Sequence, residues 1–296
     1  MADATVTDDV LARARDCSDR ASARAGVVVR ALDTDDELDA ARHVWDTTWP
    51  GQPGGTEITQ HLLRTLLHTG AYVSGAYVGD EMIGACLGLV ARAEDEAGRW
   101  HTHLHSHVAA ALPGRGDRGL GTALKVHQRA WALERGYDRI EWTFDPLVRR
   151  NARLNLVKLG GLAVRYHVNF YGDMLDGINV GDSSDRFILR WDLGSERVEA
   201  ALEGTPVAPS RAELLALGAE QALSVGDDGV PVVHDVGSPV RLVALPEDIV
   251  AVRTSDLAAA KRWRLAVREA VEPVVNAGGR VVSLTAEGDY VVEVGS

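Results

Sequence analysis

Four histidines occupy alternate positions between His101 and His107. Because side chains alternate across a β-strand, this spacing would place all four imidazoles on one face. An imidazole changes protonation near neutral pH and can accept a proton as a general base. We therefore consider His107, with His105 beside it, as a general base or a substrate contact, with a structural role as the alternative. For His101 and His103 a solvated or hydrogen-bonded structural role is favoured.

The same alternation would also suit a metal ion, since alternate histidines on a strand can bind zinc or nickel. No aspartate, glutamate or cysteine accompanies them at a fixed ligand spacing. Cys17 lies in a charged segment and Cys86 in an apolar run, so the two cysteines have very different contexts. We predict no metal site and no disulfide framework.

A glycine-rich segment, residues 112–122, follows the histidines. A strand, a glycine turn and a helix start together attract anions, because the first N–H groups of a helix lack partners and its dipole is positive there. Gly119 and Gly121 would let the backbone approach a diphosphate, and Arg115 and Arg118 can add charge. The alternative is a tight turn that only reverses the chain.

Two other phosphate-binding motifs do not fit this loop. A Walker loop requires Gly-Lys-Ser/Thr after four spacer residues, and the sequence contains no such run. A dinucleotide-binding fold would place the loop after its first strand, with an acidic residue about twenty positions later. Here the loop follows at least three predicted strands, so it lies in the middle of a domain.

Hydrophobic periodicity predicts the elements that would position these residues. Apolar residues at helical spacing over 120–131 predict a helix directly after the loop. Thr34 and Glu37 form a capping box that starts an earlier helix, and Gly79-Asp80 predicts a hairpin turn. The predicted order, β-α-α-β-β-β-α-β-α-β, implies an α/β protein with a mixed sheet and helices on both sides. Strands are predicted over 27–29, 71–78, 82–90, 100–112, 140–144 and 187–191.

Composition divides the 296 residues into three parts. Residues 1–25 mix Asp, Arg, Ala and Ser without a sustained apolar face, and we predict a mobile leader there. A catalytic domain is predicted over 26–195. Beyond it the composition shifts towards Ala, Val, Glu and Pro, and 196–296 is predicted to be an extension with a helix over 258–275 and a hairpin over 281–294.

The formal net charge is −12, and 46% of the residues are hydrophobic. Nucleic-acid binding requires clustered Lys and Arg, so this charge argues against a nucleic-acid partner and suits a small cationic or neutral substrate. The longest uncharged apolar runs are far shorter than the roughly 20 residues that cross a bilayer. We predict a cytoplasmic protein that binds neither nucleic acid nor membrane.

The loop and its position resemble the GCN5-related N-acetyltransferase (GNAT) superfamily. The signature of that superfamily is Gln or Arg, two spacers, Gly, one spacer, then Gly or Ala, and Gly119 and Gly121 match its glycines. Gly116 occupies the first signature position, so Arg115 or Arg118 would have to replace the usual side chain. The resemblance implies a GNAT fold with a mostly antiparallel mixed sheet, here followed by an α+β extension.

Other positions extend this resemblance. Ala111 and Leu112 match the splayed strand whose backbone pairs with pantetheine in the family, and Asn151 matches a turn that approaches the pantetheine arm. The resemblance therefore implies acetyl-CoA or another acyl-CoA, held by Ala111, Leu112, Arg115, Arg118, Gly119, Gly121, Thr122 and Asn151.

A closer resemblance is to a bacterial group of predicted acetyltransferases within the superfamily. It covers about 27–193, and Trp263-Arg264 with Arg268 is similar to the tail of that group. The matching positions are Leu124-Lys125, Gln128-Arg129, Trp142-Thr143-Phe144-Asp145-Pro146-Leu147, Asn151-Ala152, Asn155, Asn169-Phe170-Tyr171-Gly172 and Asp185-Arg186.

Acyl transfer to an amine requires a base for the ammonium proton, a polarised thioester carbonyl and an acid for the departing thiolate. His105 and His107 fall where some aryl-amine acetyltransferases of the superfamily carry a His-x-His pair. In many members a tyrosine is the acid, but Leu156 occupies that position here. Tyr166 or Tyr171 would then have to supply the proton.

Two of these candidates also have simpler interpretations. Tyr171 lies in a polar and aromatic cluster that could equally be a packed strand end. Asp145, at the end of a strand, could hold a substrate ammonium or cap the following helix.

The resemblance implies an N-acyltransferase that moves an acyl group directly from acyl-CoA, by default acetyl-CoA, to a small amine or amino acid. Gly116 and Leu156 depart from the usual chemical positions, which leaves a CoA-binding regulatory module without turnover as an alternative. Acetylation of protein lysines is a third possibility. The extension would close the acceptor cleft or form a homodimer contact.

Overall fold

A computed structural model describes residues 7–49, 58–94, 98–116, 119–172, 181–204 and 208–295. The chain forms two units. The first contains Met1–Trp142 and Asp192–Glu196, and the second contains Thr143–Trp191 and Arg197–Ser296. The division therefore falls inside the predicted 26–195 domain rather than after it.

The first unit begins with a helix and contains the loop and the histidine strand. Strand β5 starts in this unit, and its last two residues belong to the second. The elements are α1 (Asp8–Ala25), β1 (Val28–Ala31), α2 (Asp35–Thr48), α3 (Gln60–His68), β2 (Tyr72–Val78), β3 (Glu81–Glu94), β4 (Trp100–Ala111), α4 (Leu120–Glu134) and β5 (Arg139–Phe144).

These strands form a sheet in the order β1-β2-β3-β4-β5. Neighbours from β1 to β4 are antiparallel, whereas β4 and β5 are parallel. The predicted turn at Gly79-Asp80 joins β2 to β3, and Gly79 has a positive φ of 57° that glycine adopts without strain. The expected mixed and mostly antiparallel sheet is thus confirmed in this unit.

Helix α2 packs its apolar face on this sheet. The capping box is confirmed, because Thr34 accepts from the backbone N–H of Glu37 and the Glu37 carboxylate accepts from that of Thr34. Leu38, Trp45 and Leu87 are almost fully buried in the core that α2, α3 and the sheet share. Each such side chain contributes about 1.5–3 kcal/mol to folding by leaving water.

Helix α1 differs from the mobile leader predicted for 1–25. Its residues Ala14, Cys17 and Ser18 are buried, and Arg15 forms a 2.7 Å ion pair with Glu134 of α4. Small side chains let two helices approach closely without a strong apolar stripe, so the sequence pattern did not indicate this contact. Residues 1–6 lie outside the described residues.

The second unit contains the rest of the predicted catalytic domain and the extension. A π-helical turn, Arg153–Lys158, continues its first helix. The elements are α5 (Arg149–Ala152), β6 (Leu162–His167), β7 (Arg186–Asp192), α6 (Glu196–Glu203), α7 (Arg211–Ala216), β8 (Glu220–Val225), β9 (Pro231–Val233), β10 (Val240–Val243), α8 (Ile249–Ser255), α9 (Leu257–Asn276), β11 (Arg280–Leu284) and β12 (Tyr290–Glu293).

The strands of the second unit follow the order β7-β6-β11-β12-β10-β8-β9. Within this set β8 and β10 are parallel, and the other recorded pairs are antiparallel. The long helix predicted over 258–275 is present as α9, and the predicted hairpin is present as β11 and β12. Among the described helices, none has the length and hydropathy that a membrane span requires.

Candidate functional site

The first unit contains a strand pair that parts. β4 and β5 pair only through Leu104 with Ile140 and His105 with Glu141 among the residues described. Beyond these pairs β4 continues to Ala111 without a further partner in β5. Backbone N–H and C=O groups along that edge are then available to an extended ligand, which can pair with them as another strand would.

A β-bulge lies at His107, close to the point where the strands part. β4 pairs with β3 through Val108 with Leu87 and through Ser106 with Gly88, so His107 is the additional residue at the register shift. Bulges bend a strand and redirect a side chain, and they are over-represented beside active sites. The His107 side chain is exposed at this bulge.

The other histidines of β4 are more enclosed. Burial lowers the pKa of His103 and of His105 to about 4, so both rings are neutral at pH 7. His103 Nε2 lies 3.6 Å from Glu141 Oε2, and His101 Nε2 lies 3.1 Å from Arg139 Nη1. The contact with Arg139 favours the structural role expected for His101. His103 is buried, and its Nδ1 has no hydrogen-bond partner among the described residues. Within the described ranges, no group of three His, Cys, Asp or Glu could hold a metal ion.

Helix α4 begins without a side-chain cap. Gly119 is its N-cap residue, with a left-handed φ of 93°, and the first turn contains no acidic residue. A Cβ atom at Gly119 would meet no atom within 4 Å, so the space beside it is open. Gly121 and Thr122 follow in the first turn and are partly exposed. This helix start therefore has the N–H groups and the room that a phosphate requires.

Of the two loop arginines that were predicted to add charge near the phosphates, only Arg115 lies within the described residues. Arg115 Nη2 donates to Glu81 Oε2 at 2.8 Å, and both side chains are about half exposed. This ion pair already offsets the positive charge that Arg115 was predicted to offer to phosphate. Arg118 lies outside the described residues, so its predicted role stays a prediction.

The backbone at the end of β4 is partly engaged. Leu112 N donates to Ile83 O at 2.9 Å, and Leu112 O accepts from Arg115 N at 2.9 Å. Ala111 O accepts from Thr48 Oγ1 at 3.1 Å. The predicted backbone contact of Leu112 with pantetheine therefore has no free N–H, although each carbonyl oxygen keeps a second lone pair.

A buried lysine lies where β4 and β5 part. Lys125 on α4 is 6% exposed, and its Nζ donates to Ser106 Oγ at 2.6 Å and lies 3.8 Å from the ring centroid of Trp142. Ser106 and Trp142 directly follow the last β4–β5 pair, and we call the point between them the fork. Burial lowers the pKa of Lys125 to about 8. No carboxylate among the described residues contributes to that shift.

Sequence reasoning did not assign Lys125 a role, although a signal was present. Lys125, Gln128 and Arg129 are polar residues inside a helix that is otherwise apolar on the side facing the sheet, and all three are buried. Arg129 Nε donates to Leu193 O at 2.9 Å. The Gln128 amide atoms are buried without a hydrogen-bond partner among the described residues. Polar side chains on the buried face of a helix are uncommon, so their presence in the sequence was a signal that this face deserves a functional explanation.

Asp145 lies in the second unit within a network of charges. Its carboxylate accepts from Arg253 Nη2 at 2.6 Å, from Arg264 Nη1 at 2.8 Å and from the backbone N–H of Leu147 at 2.9 Å. Burial alone would raise the pKa of Asp145, but Arg264 and Arg253 lower it well below its usual range. These contacts favour the structural alternative over the binding of a substrate ammonium.

Tyr171 and Asn151 also lie in the second unit. The Tyr171 hydroxyl is 2.9 Å from Thr143 Oγ1, and Tyr171 is 46% exposed. The Arg186 guanidinium lies 5.2 Å from the centroid of its ring. Asn151 is partly exposed in α5. Their predicted roles towards thiolate and pantetheine stay predictions.

No family model matches the chain, and no curated protein matches it. Solved structures of GNAT acetyltransferases are similar to it over part of its length. One from Desulfovibrio desulfuricans is 21% identical over 56% of this chain and 99% of its own, with a TM-score of 0.44. The ribosomal-protein-S18-alanine N-acetyltransferase of Escherichia coli is 15% identical over 56% and 94%, with a TM-score of 0.42. A GNAT acetyltransferase of Elizabethkingia anophelis with acetyl-CoA bound is 14% identical over 56% and 98%, with a TM-score of 0.42.

Proposed function

We propose that the chain is an acyl-CoA-dependent N-acyltransferase, with acetyl-CoA as the default donor and a small amine or amino acid as the acceptor. One observation carries the proposal: the uncapped start of α4 is the next helix start after β4, the strand that parts from β5, with only the loop 112–119 between them. This order supports an anion site that follows a slot for an extended chain. A diphosphate attached to a pantetheine arm needs this succession.

The helix start would hold the diphosphate. Gly119, Gly121 and Thr122 contribute first-turn N–H groups, and the helix dipole adds favourable charge. The open space beside Gly119 leaves room for phosphate oxygens. Since Leu112 N–H is already donated, backbone groups earlier in β4 would pair with the pantetheine arm, with Ala111 O as a further predicted contact.

His107 is the residue that we assign to the acceptor. As general base it takes a proton from the acceptor ammonium, either directly or through a water molecule. The freed amine forms a bond to the thioester carbon while the carbon–sulfur bond breaks, so transfer is direct. His105, whose ring centroid is 6.3 Å from that of His107, is neutral at pH 7 and adds no charge that would oppose protonation of His107.

Titration with CoA, followed by calorimetry, tests the proposal. Gly119→Glu should weaken CoA binding by at least ~10-fold, because a carboxylate would occupy the phosphate space and repel the ligand. Gly136, at the other end of α4, offers a matched control, since it has a φ of 77° and equally open surroundings. Gly136→Glu carries the same kind of backbone strain and should leave CoA binding unchanged.

Two results would contradict the proposal. The wild-type protein would show no saturable CoA binding, or the two glutamate variants would bind CoA equally well.

A CoA-binding module without turnover is the second candidate. Two observations favour it: Leu156, at the position of the usual acid, is buried, and the Tyr166 hydroxyl already donates to Asp185. Release of free thiol from acetyl-CoA, measured over a panel of amines and amino acids, separates the candidates. A transferase releases thiol with at least one acceptor, whereas a module binds CoA and releases none.

A further inference from the structure

The proposed transfer expels a thiolate, which needs a proton donor, and the tyrosines predicted for this task are poorly suited. Tyr166 is 2% exposed, and its hydroxyl donates to Asp185 Oδ2 at 2.6 Å. Burial and the Asp185 carboxylate raise the pKa of Tyr166 well above its usual value, so it holds its proton. The exposed Tyr171 hydroxyl already pairs with Thr143.

We propose that Lys125 is the general acid that protonates the departing thiolate of CoA. This inference rests on the proposed function, because it needs a thioester held between β4 and β5. The geometry points to Lys125 because its Nζ contacts the first residue beyond the last pair on each strand, Ser106 on one and Trp142 on the other. A sulfur atom lodged at the fork would meet this ammonium group.

The surroundings of Nζ suit a proton donor. Ser106 Oγ is its one hydrogen-bond acceptor among the residues described, which leaves further N–H donors for a ligand. Among the described residues, the titratable groups that interact electrostatically with it are Cys86 on β3 and the neutral ring of His105 on β4. A firm ion pair would hold the proton in place, and Lys125 forms none with the described residues. Burial lowers the pKa of Lys125 to about 8, so the proton is present at pH 7 and is readily given up.

The proton balance closes with the two assigned residues. As the acceptor nitrogen bonds to the thioester carbon, the carbon–sulfur bond breaks and its electron pair stays on sulfur. A proton moves from Lys125 Nζ to that sulfur, which leaves as a thiol, and Lys125 becomes a neutral amine. His107 passes the first proton of the acceptor ammonium to solvent before the attack and accepts a second proton from the nitrogen once its bond to carbon has formed. That proton also goes to solvent, from which Lys125 is protonated again, so each transfer releases one proton.

The thiol titration of bound CoA, followed by thiolate absorbance, tests the placement without any acceptor. An ammonium group beside the sulfur lowers the thiol pKa, so Lys125→Met should raise the pKa of bound CoA relative to the wild type. Gln128→Met replaces a buried polar residue one turn later on α4 and should leave that pKa unchanged. Equal thiol pKa values in wild type and Lys125→Met would overturn the inference, whereas an absence of CoA binding would instead overturn the proposed function.

Turnover with an active acceptor tests the proton transfer itself. Wild-type turnover should fall as pH rises through about 8, because the acid is then deprotonated. Lys125→Met should be slower by ~10²–10⁴-fold and lack this alkaline fall, while its affinity for CoA stays similar. Lys125→Arg keeps the charge but holds its proton too tightly, so it should be slow as well. Full activity in either variant would contradict an acid role for Lys125.

Discussion

The two units bury charge in opposite ways. In the second unit Asp145 and Asp182 each accept hydrogen bonds from both Arg253 and Arg264, at distances of 2.6 to 3.3 Å. Two negative charges are therefore matched by two positive ones. In the first unit Lys125 has a serine hydroxyl and an indole ring as neighbours, and no carboxylate among the described residues.

This difference separates a structural network from a candidate reactive group. Buried charges that hold a fold together are paired and hydrogen-bonded, because an unpaired one costs several kcal/mol. A charge that is kept buried without a counter-ion lowers stability, and such groups with a shifted pKa concentrate at functional sites. The contrast also explains why Asp145 fits poorly as a substrate contact and why Lys125 fits better as a proton donor.

The largest expected effect comes from breaking the paired network. Arg264→Met leaves Asp145 and Asp182 to share Arg253, and we expect a loss of about 3–5 kcal/mol in the free energy of unfolding, measured by urea denaturation. Arg262 is a control on the same helix, since it is half exposed and 3.6 Å from the exposed Asp256. Arg262→Met should cost less than about 1 kcal/mol. Equal losses in the two variants would remove the contrast between the units.

A smaller effect of opposite sign is expected at Lys125. The pKa of Lys125 is about 8 in the folded chain, against an ordinary value of 10.5. Below pH 8 the folded chain therefore contains a buried charge, which lowers the free energy of unfolding by up to about 3 kcal/mol. Lys125→Met removes that cost, and the variant should be more stable than the wild type at pH 7. Between pH 8 and 10.5 the unfolded wild type binds more protons, so wild-type stability rises and the difference shrinks. Denaturation midpoints of the wild type and Lys125→Met, measured across this pH range, test the prediction. If Lys125 were not buried as a cation, the difference between the two midpoints would stay constant.

The smallest expected effect on stability concerns the exposed pair of Arg115 with Glu81. Glu81→Gln should change the free energy of unfolding by less than about 1 kcal/mol, because exposed ion pairs contribute little. The same change releases Arg115, which should tighten CoA binding a little and increase its dependence on salt. Calorimetry at low and high ionic strength measures both. Unchanged CoA affinity and salt dependence in this variant would show that Arg115 does not face the phosphates.

Much of the fold followed from local signals in the sequence. The capping box of α2, the turn between β2 and β3, and helix α9 each depend on residues a few positions apart, and all three are present. Other features depend on contacts that no short window contains. The π-helical turn Arg153–Lys158 shares the apolar spacing of an α-helix, so a sequence pattern could not distinguish it. Strands as short as β9 are defined by their partners.

The residues of the candidate site also differ in whether the local sequence could predict them. Gly119 and Gly121 were found from spacing alone, because an anion site at a helix start is a local structure. The role of Lys125 depends on where β4 and β5 stop pairing, which the sequence does not state. The arginines that bind Asp145 come 108 and 119 positions later in the chain, so its environment could not be inferred from its neighbours.

The bulge at His107 adds one residue to β4. Because β4 contains one residue more than the stretch of β3 that it pairs with, the β4 residues after the bulge are one position out of step with a regular ladder. Removing His107 would restore a regular ladder between β4 and β3 and shorten the chain between the last β4–β5 pair and the glycine turn by one residue. A molecule that touches both the fork and the start of α4 would therefore pass a single inserted amino acid on the way.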